Sequence, residues 1–163
     1  MLDRIFPRQF DNRYRGHWLG LALFVLVLIV KALQGVNSII WTREIMAGAD
    51  GIPIDTFSAA AADSAILMFA LLGMYLLVLP LQSIIVLIRY RSMVPFMLLI
   101  LLAVQFGARG IHFLHPDTRS NPGGGEPIGL YVNLGILAVT VVAFVLSISG
   151  PRPQAGALPE AMQ

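Results

Sequence analysis

The sequence predicts an all-α integral membrane protein, a four-helix bundle with its N- and C-termini in the cytoplasm. Three observations carry that prediction. Apolar residues make up 57% of the 163-residue chain and charged residues only 12%, against about 25% charged in an average soluble domain. Four apolar runs each reach the roughly 20 residues that a helix needs to cross hydrocarbon. Basic residues gather at the run ends that lie on one side of such a four-span arrangement. A chain this short has too little interior to hide so many apolar side chains from water. Lipid leaves backbone polar groups no water to bond, so helices are the default spanning element.

The elements follow in order. Phe6, Phe10, Tyr14 and Trp18 recur in steps of four and are interleaved with arginines, the pattern of an interfacial helix leading into the first span. The first apolar run is Trp18 to Val36, with a possible continuation to Trp41. It exceeds the h-region of a signal peptide and lacks a small-x-small cleavage site, so a retained helix over about 17–41 is expected. Ala47 to Pro53 reads as loop, and Asp55-Thr56 as the cap of a second helix over about 57–89. Pro80 removes the hydrogen bond to the Leu76 carbonyl and should kink that helix, with Gln82 and Ser83 available to the freed backbone. Arg89-Tyr-Arg-Ser92 is a short turn, which makes the second and third helices antiparallel neighbours. The third is expected over about 93–115. Asn121 to Gly125 is a connector, and Glu126-Pro127 starts a fourth helix over about 127–149. Residues 1–150 thus form one transmembrane domain, and 151–163, with prolines at 151, 153 and 159, a disordered cytoplasmic tail.

Orientation follows from the arginines. Arg4, Arg8, Arg13, Arg15, Arg89, Arg91 and Arg152 share one side, which the positive-inside rule makes cytoplasmic. The expected location is the inner membrane, as a multi-pass protein. Arg43, Arg109 and Arg119 lie on the other side among six acidic residues.

Charged groups inside a bilayer are costly and turn toward the bundle interior or water. Lys31 lies about 20 Å from the cytoplasmic edge at 1.5 Å per residue, with Gln34 and Ser38 on its face. Gln105, Arg109 and His112 share a face of the third helix, and Asn133, Thr140 and Ser147 form a seam at intervals of seven on the fourth. Lys31, Gln34, Asp63, Gln105, Arg109 and Asn133 are therefore the candidate ligand-binding residues, a net positive pocket in the outer half suited to an anionic headgroup or a small anion. The competing reading is structural: Lys31 and Arg109 snorkel to the interface, or pair with Asp63, while the amides hold helices together.

Other chemistry finds little footing. The chain has no cysteine, which excludes disulfides and thiolate sites. No P-loop, GxSxG or HExxH is present. His17 lies a membrane thickness from His112 and His115, so one chain cannot clamp a haem between them. His112, His115 and Asp117 are too few for a convincing metal set. No cofactor, metal or nucleic acid is expected. Gly16-x-x-x-Gly20 and Ala103-x-x-x-Gly107 permit close helix contact, expected within the bundle.

Lys31-Ala-Leu-Gln-Gly-Val-Asn-Ser38 and Ile88-Arg-Tyr-Arg-Ser-Met-Val-Pro-Phe-Met97 resemble segments of small four-helix membrane proteins of bacteria, a family with no assigned activity. The resemblance implies the architecture and carries over no site residues. The expected function is non-catalytic: an accessory, scaffold or lipid-interacting subunit of the membrane. The alternative is a small oligomeric transporter or channel for an anionic solute or lipid, using the Lys31/Arg109 pocket. Expected partners are membrane lipids, with a homo-oligomer or larger membrane complex possible.

Overall fold

The computed structural model describes residues 5–7, 9–114 and 127–150. The arginines at 4, 8, 119 and 152, His115, Asp117, Glu126, the 121–125 connector and the 151–163 tail lie outside the described residues. The described chain is all-helical, with four helices long and apolar enough to cross a membrane. They are α1 (Trp18–Ile40), α2 (Ala59–Arg89), α3 (Val94–Leu114) and α4 (Ile128–Ile148). Large apolar side chains stand exposed along all four, from Trp18 and Leu33 to Leu72, Phe106 and Val142. Water tolerates only limited contiguous apolar surface; a lipid-facing helix requires it.

α1 begins where the His17 Nδ1 accepts a hydrogen bond from the Leu19 amide at 3.3 Å. Beyond Ile40 the chain tightens through a turn at Thr42–Glu44 and a π-turn at Ile45–Ala49, then reverses at Gly51, whose φ is 65°. A 3₁₀ turn at Ile54–Thr56 follows. Met46, Ile54 and Ala62 bury one another and fix this loop against the start of α2. Ser58, not Asp55-Thr56, caps α2, its Oγ accepting from the Ala61 amide. Asp55 instead pairs with Arg43 across the loop. At 31 residues, α2 is about 46 Å long at 1.5 Å per residue, well beyond the ~30 Å of hydrocarbon.

Pro80 is buried inside α2, which runs on to Arg89 without interruption. The freed backbone is not rescued as expected: the Ser83 Oγ is buried with no hydrogen-bond partner, and among the described residues neither Gln82 nor Ser83 reaches the Leu76 carbonyl. A 3₁₀ turn at Arg91–Met93 then leads directly into α3.

α1 packs most closely on α2 and next on α4; α4 also packs on α3. The α1–α2 crossing is set by two glycines. A methyl at Gly35 would lie 2.7 Å from Leu77 Cγ, and one at Gly73 would lie 2.9 Å from Ser38 Cβ. The main core gathers Phe24, Val27 and Leu28 of α1, Val86 of α2, Val94, Met97, Leu98 and Leu101 of α3, and Ile136 and Ala143 of α4. It occupies the half of the structure near the α2–α3 turn. Toward the opposite, loop end, no residue of α3 beyond Leu102 is buried.

The segment before α1 departs from expectation. Residues 9–17 carry no helix. Their backbone groups bond to other elements instead of to one another. The Asp11 amide donates to Ser92 Oγ at 3.1 Å, and Ser92 Oγ donates back to the Asp11 carbonyl at 2.9 Å. The His17 amide donates to the Leu146 carbonyl at 3.0 Å. The Asp11 carboxylate accepts from the Arg13 amide and pairs with Arg15, a local competition that disfavours a helix. The aromatic residues become anchors rather than a stripe: Phe6 meets Phe96 and Phe10 meets Tyr90. Tyr14 tucks its hydroxyl between Gly16 and Gly20, where the oxygen is buried without a partner. Burial pushes its pKa up to about 12.

Candidate polar site

The site is built on α1, α3 and α4. Lys31 and Gln34 are one turn apart on α1, and the Lys31 amine donates to Gln34 Oε1 at 3.0 Å. It also donates to Asn133 Oδ1 of α4 at 3.3 Å. The Asn133 amide is turned by its own helix: Nδ2 donates to the Gly129 carbonyl at 2.8 Å, which leaves the oxygen facing Lys31. Three of the six expected residues thus meet directly.

Gln105 and Arg109 share a face of α3 as their spacing requires. Gln105 Nε2 donates to Thr140 Oγ1 at 3.1 Å, while Thr140 Oγ1 donates to the Ile136 carbonyl. Gln105 Oε1 is buried and has no partner among the described residues. The Gln105–Thr140 bond sets the register of two antiparallel helices, so Arg109 lies about one turn deeper than Asn133. The same register brings Arg109 to within about one turn of the Asn133 level that Lys31 reaches. Both basic side chains are half-buried. The polar seam of α4 is real in geometry: Thr140 and Ser147 are buried, each hydroxyl bonding a carbonyl of its own helix.

Asp63 does not join them. It is exposed and makes no ion pair with Lys31 or Arg109 among the described residues. Helix rise explains the separation. α1 and α2 cross at Gly35 and Gly73; Asp63 lies ten residues beyond that crossing and Lys31 four residues before it, about 21 Å apart along the axes at 1.5 Å per residue. The sequence grouped the outer end of α2 with the Lys31 face; the position of the crossing is what carries Asp63 away from it.

Another carboxylate comes nearer. The π-turn Ile45–Ala49 lays Asp50 against the first turn of α4, where a methyl at Gly129 would lie 2.8 Å from Asp50 Oδ1 and 2.7 Å from the Ala49 carbonyl. A carboxylate there is favoured by the helix dipole, and Gly129 is what permits the approach. Asn133 is one turn further along, so Asp50 stands just outside the Lys31 group. The sequence offered no sign of this: Gly48-Ala-Asp-Gly51 carries loop residues and nothing that ties it to a helix eighty residues away.

The two small-residue patterns divide. Gly16 and Gly20 lie against Ser147 and Ala143 of α4, but Gly107 has open space on its side, as do Gly110 and Gly135. Among the described residues no neighbouring helix approaches Gly107, so the close contact expected of Ala103-x-x-x-Gly107 is not made there. Among the described residues no group of three or more histidine, aspartate and glutamate side chains is placed to hold a metal ion.

Among the described residues neither Lys31 nor Arg109 has an ion pair. The arrangement offers two basic side chains about a helix turn or so below the ends of α3 and α4, bounded by neutral amides. No protein-family model, curated protein or solved structure matches the chain.

Proposed function

We propose that the chain is a non-catalytic, multi-pass protein of the inner membrane that holds an anionic group at the Lys31/Arg109 cluster. In this reading the four helices form a bundle with both termini on the cytoplasmic side, and the cluster lies in the outer half. The orientation rests on Arg13, Arg15, Arg89 and Arg91 at the α2–α3 turn end and on the positive-inside rule. The non-catalytic role rests on the sequence, which has no cysteine and no motif for nucleophilic or phosphate chemistry. The chain would act as an accessory, scaffold or lipid-interacting subunit.

The observation that carries the anion reading is the bonding of Lys31. Its amine donates to two neutral amide oxygens, and the Gln105–Thr140 register brings Arg109 to about one turn from that level. Basic groups kept in a low-dielectric setting are expensive unless paired, and an anionic ligand supplies the missing charge. A ligand that binds only the folded state raises its stability by mass action. Thermal unfolding in neutral detergent should therefore shift upward when phosphatidylglycerol or glycerol 3-phosphate is added. The shift should vanish in Arg109→Met. No shift with either probe in the wild-type chain would refute the reading.

The second reading is an oligomeric transporter or channel for an anionic solute or lipid. It draws on the same basic pair and on the bare loop half of α3, where Gly107 and Gly110 leave room for another helix. Cross-linking in native membranes separates the two, since transport by four helices needs self-association.

A further inference from the structure

We infer that the anionic group is the headgroup of a phospholipid that enters sideways from the outer leaflet, past the loop half of α3. This rests on the anion-holding reading above. Two features of the fold lead to it.

The first is where the packing stops. α3 buries Val94, Pro95, Met97, Leu98, Leu101 and Leu102, and then nothing through Leu114. α2, its chain neighbour, turns its buried positions elsewhere: Gly73 against α1, and Ala62 into the loop cluster. The helices therefore close on one another at the turn end and leave α3 uncovered at the loop end. Gln105 and Arg109 are the most enclosed residues of that half, so the polar cluster lies behind the uncovered stretch. Val104, Phe106, Ile111 and Phe113 are exposed around it. That is a surface for acyl chains.

The second is depth and charge. Arg109 is five residues from the end of α3 and Asn133 five from the start of α4, about 7.5 Å in each case at 1.5 Å per residue. An arginine side chain spans that distance to the headgroup boundary. A lipid phosphate drawn slightly inward reaches the level of Asn133, where the Lys31 amine is held, with Arg109 about one turn deeper. Charge thus selects an anion, and the uncovered apolar stretch of α3 selects the bilayer as its source.

The test is native mass spectrometry of the full chain, released from nanodiscs of phosphatidylglycerol and phosphatidylcholine in equal parts. The wild-type chain is expected to retain one phosphatidylglycerol in at least ten-fold preference over phosphatidylcholine. Lys31→Met and Arg109→Met should each abolish the preference. Arg109 makes no hydrogen bond among the described residues, so Arg109→Met is the variant expected to stay folded, with circular dichroism as the check. Equal retention of the two lipids overturns the inference. So does complete displacement of phosphatidylglycerol by millimolar glycerol 3-phosphate, which would show water-side entry and leave the anion reading intact. If neither phosphatidylglycerol nor glycerol 3-phosphate senses either substitution, the anion reading itself falls as well.

Discussion

Asn133→Leu is the perturbation that best tests how the polar cluster is held together. The substitution removes the 3.3 Å acceptor for the Lys31 amine and the 2.8 Å back-bond to the Gly129 carbonyl. Only the first joins two helices. Interhelical hydrogen bonds in membranes average about 0.6 kcal/mol, with a maximum near 1.7. A basic donor places this one in the upper part of that range. Lys31 keeps Gln34 as an acceptor on its own helix, so the loss should stop short of the cost of an isolated buried amine. The expected coupling in a Lys31→Met/Asn133→Leu double-mutant cycle is about 1 kcal/mol. The assay is reversible unfolding in mixed micelles. A parallel cycle of Lys31→Met with Asp63→Asn should be additive within about 0.5 kcal/mol, as for residues that share no partner. Additivity in the first cycle, or coupling in the second, would refute the placement of these residues.

Other outcomes follow from single contacts. Gly35→Leu and Gly73→Val force the α1–α2 crossing apart and should each cost about 1–3 kcal/mol, the usual range for overpacking; Gly107→Ala, with nothing near its methyl, should be neutral or stabilising by up to about 1 kcal/mol through helix propensity, and chemical denaturation distinguishes them. Ser92→Ala breaks both side-chain hydrogen bonds to Asp11 and leaves only the one from the Ser92 amide, so limited proteolysis should cut before α1 faster than in the wild-type chain while the spans stay intact. Tyr14 has a folded pKa raised to about 12 by burial, so its contribution to stability is complete below pH 10 and is lost as pH rises toward 12; Tyr14→Phe should abolish that decline, followed by thermal unfolding between pH 9 and 12.

The helical spans were legible because their signal is one of length and hydropathy, which needs no knowledge of neighbours. The same is true of Lys31 with Gln34, and of Gln105 with Arg109, whose faces follow from 3.6-residue periodicity alone. Depth across helices was another matter. Asp63 was grouped with Lys31 because both fall in the outer half by residue count, but only the Gly35–Gly73 crossing fixes how far apart along the axes they lie. The interfacial helix at Phe6–Trp18 failed for a related reason. Its stripe is genuine as a pattern, but the partners of Asp11 and His17 are Ser92 and Leu146, and no local rule reveals a tertiary bond that overrides a helix. Asp50 was invisible because its role comes from the π-turn that aims it, and from one glycine on α4 that lets it approach.

The segment before α1 has a consequence for the order in which the chain is assembled. Its anchors are Ser92, Tyr90 and Phe96, around the α2–α3 turn, and Leu146, near the end of α4. None of these exists when Asp11 to His17 leave the ribosome. Residues made before all four helices are therefore among the last to settle. They must wait without those distant anchors while four helices are threaded and brought together, and they lock only when the final span is in place. Protection of this segment is thus a timer for insertion: a nascent chain halted after α3 would hold it at Ser92, Tyr90 and Phe96, and only one that has made α4 would close it on Leu146.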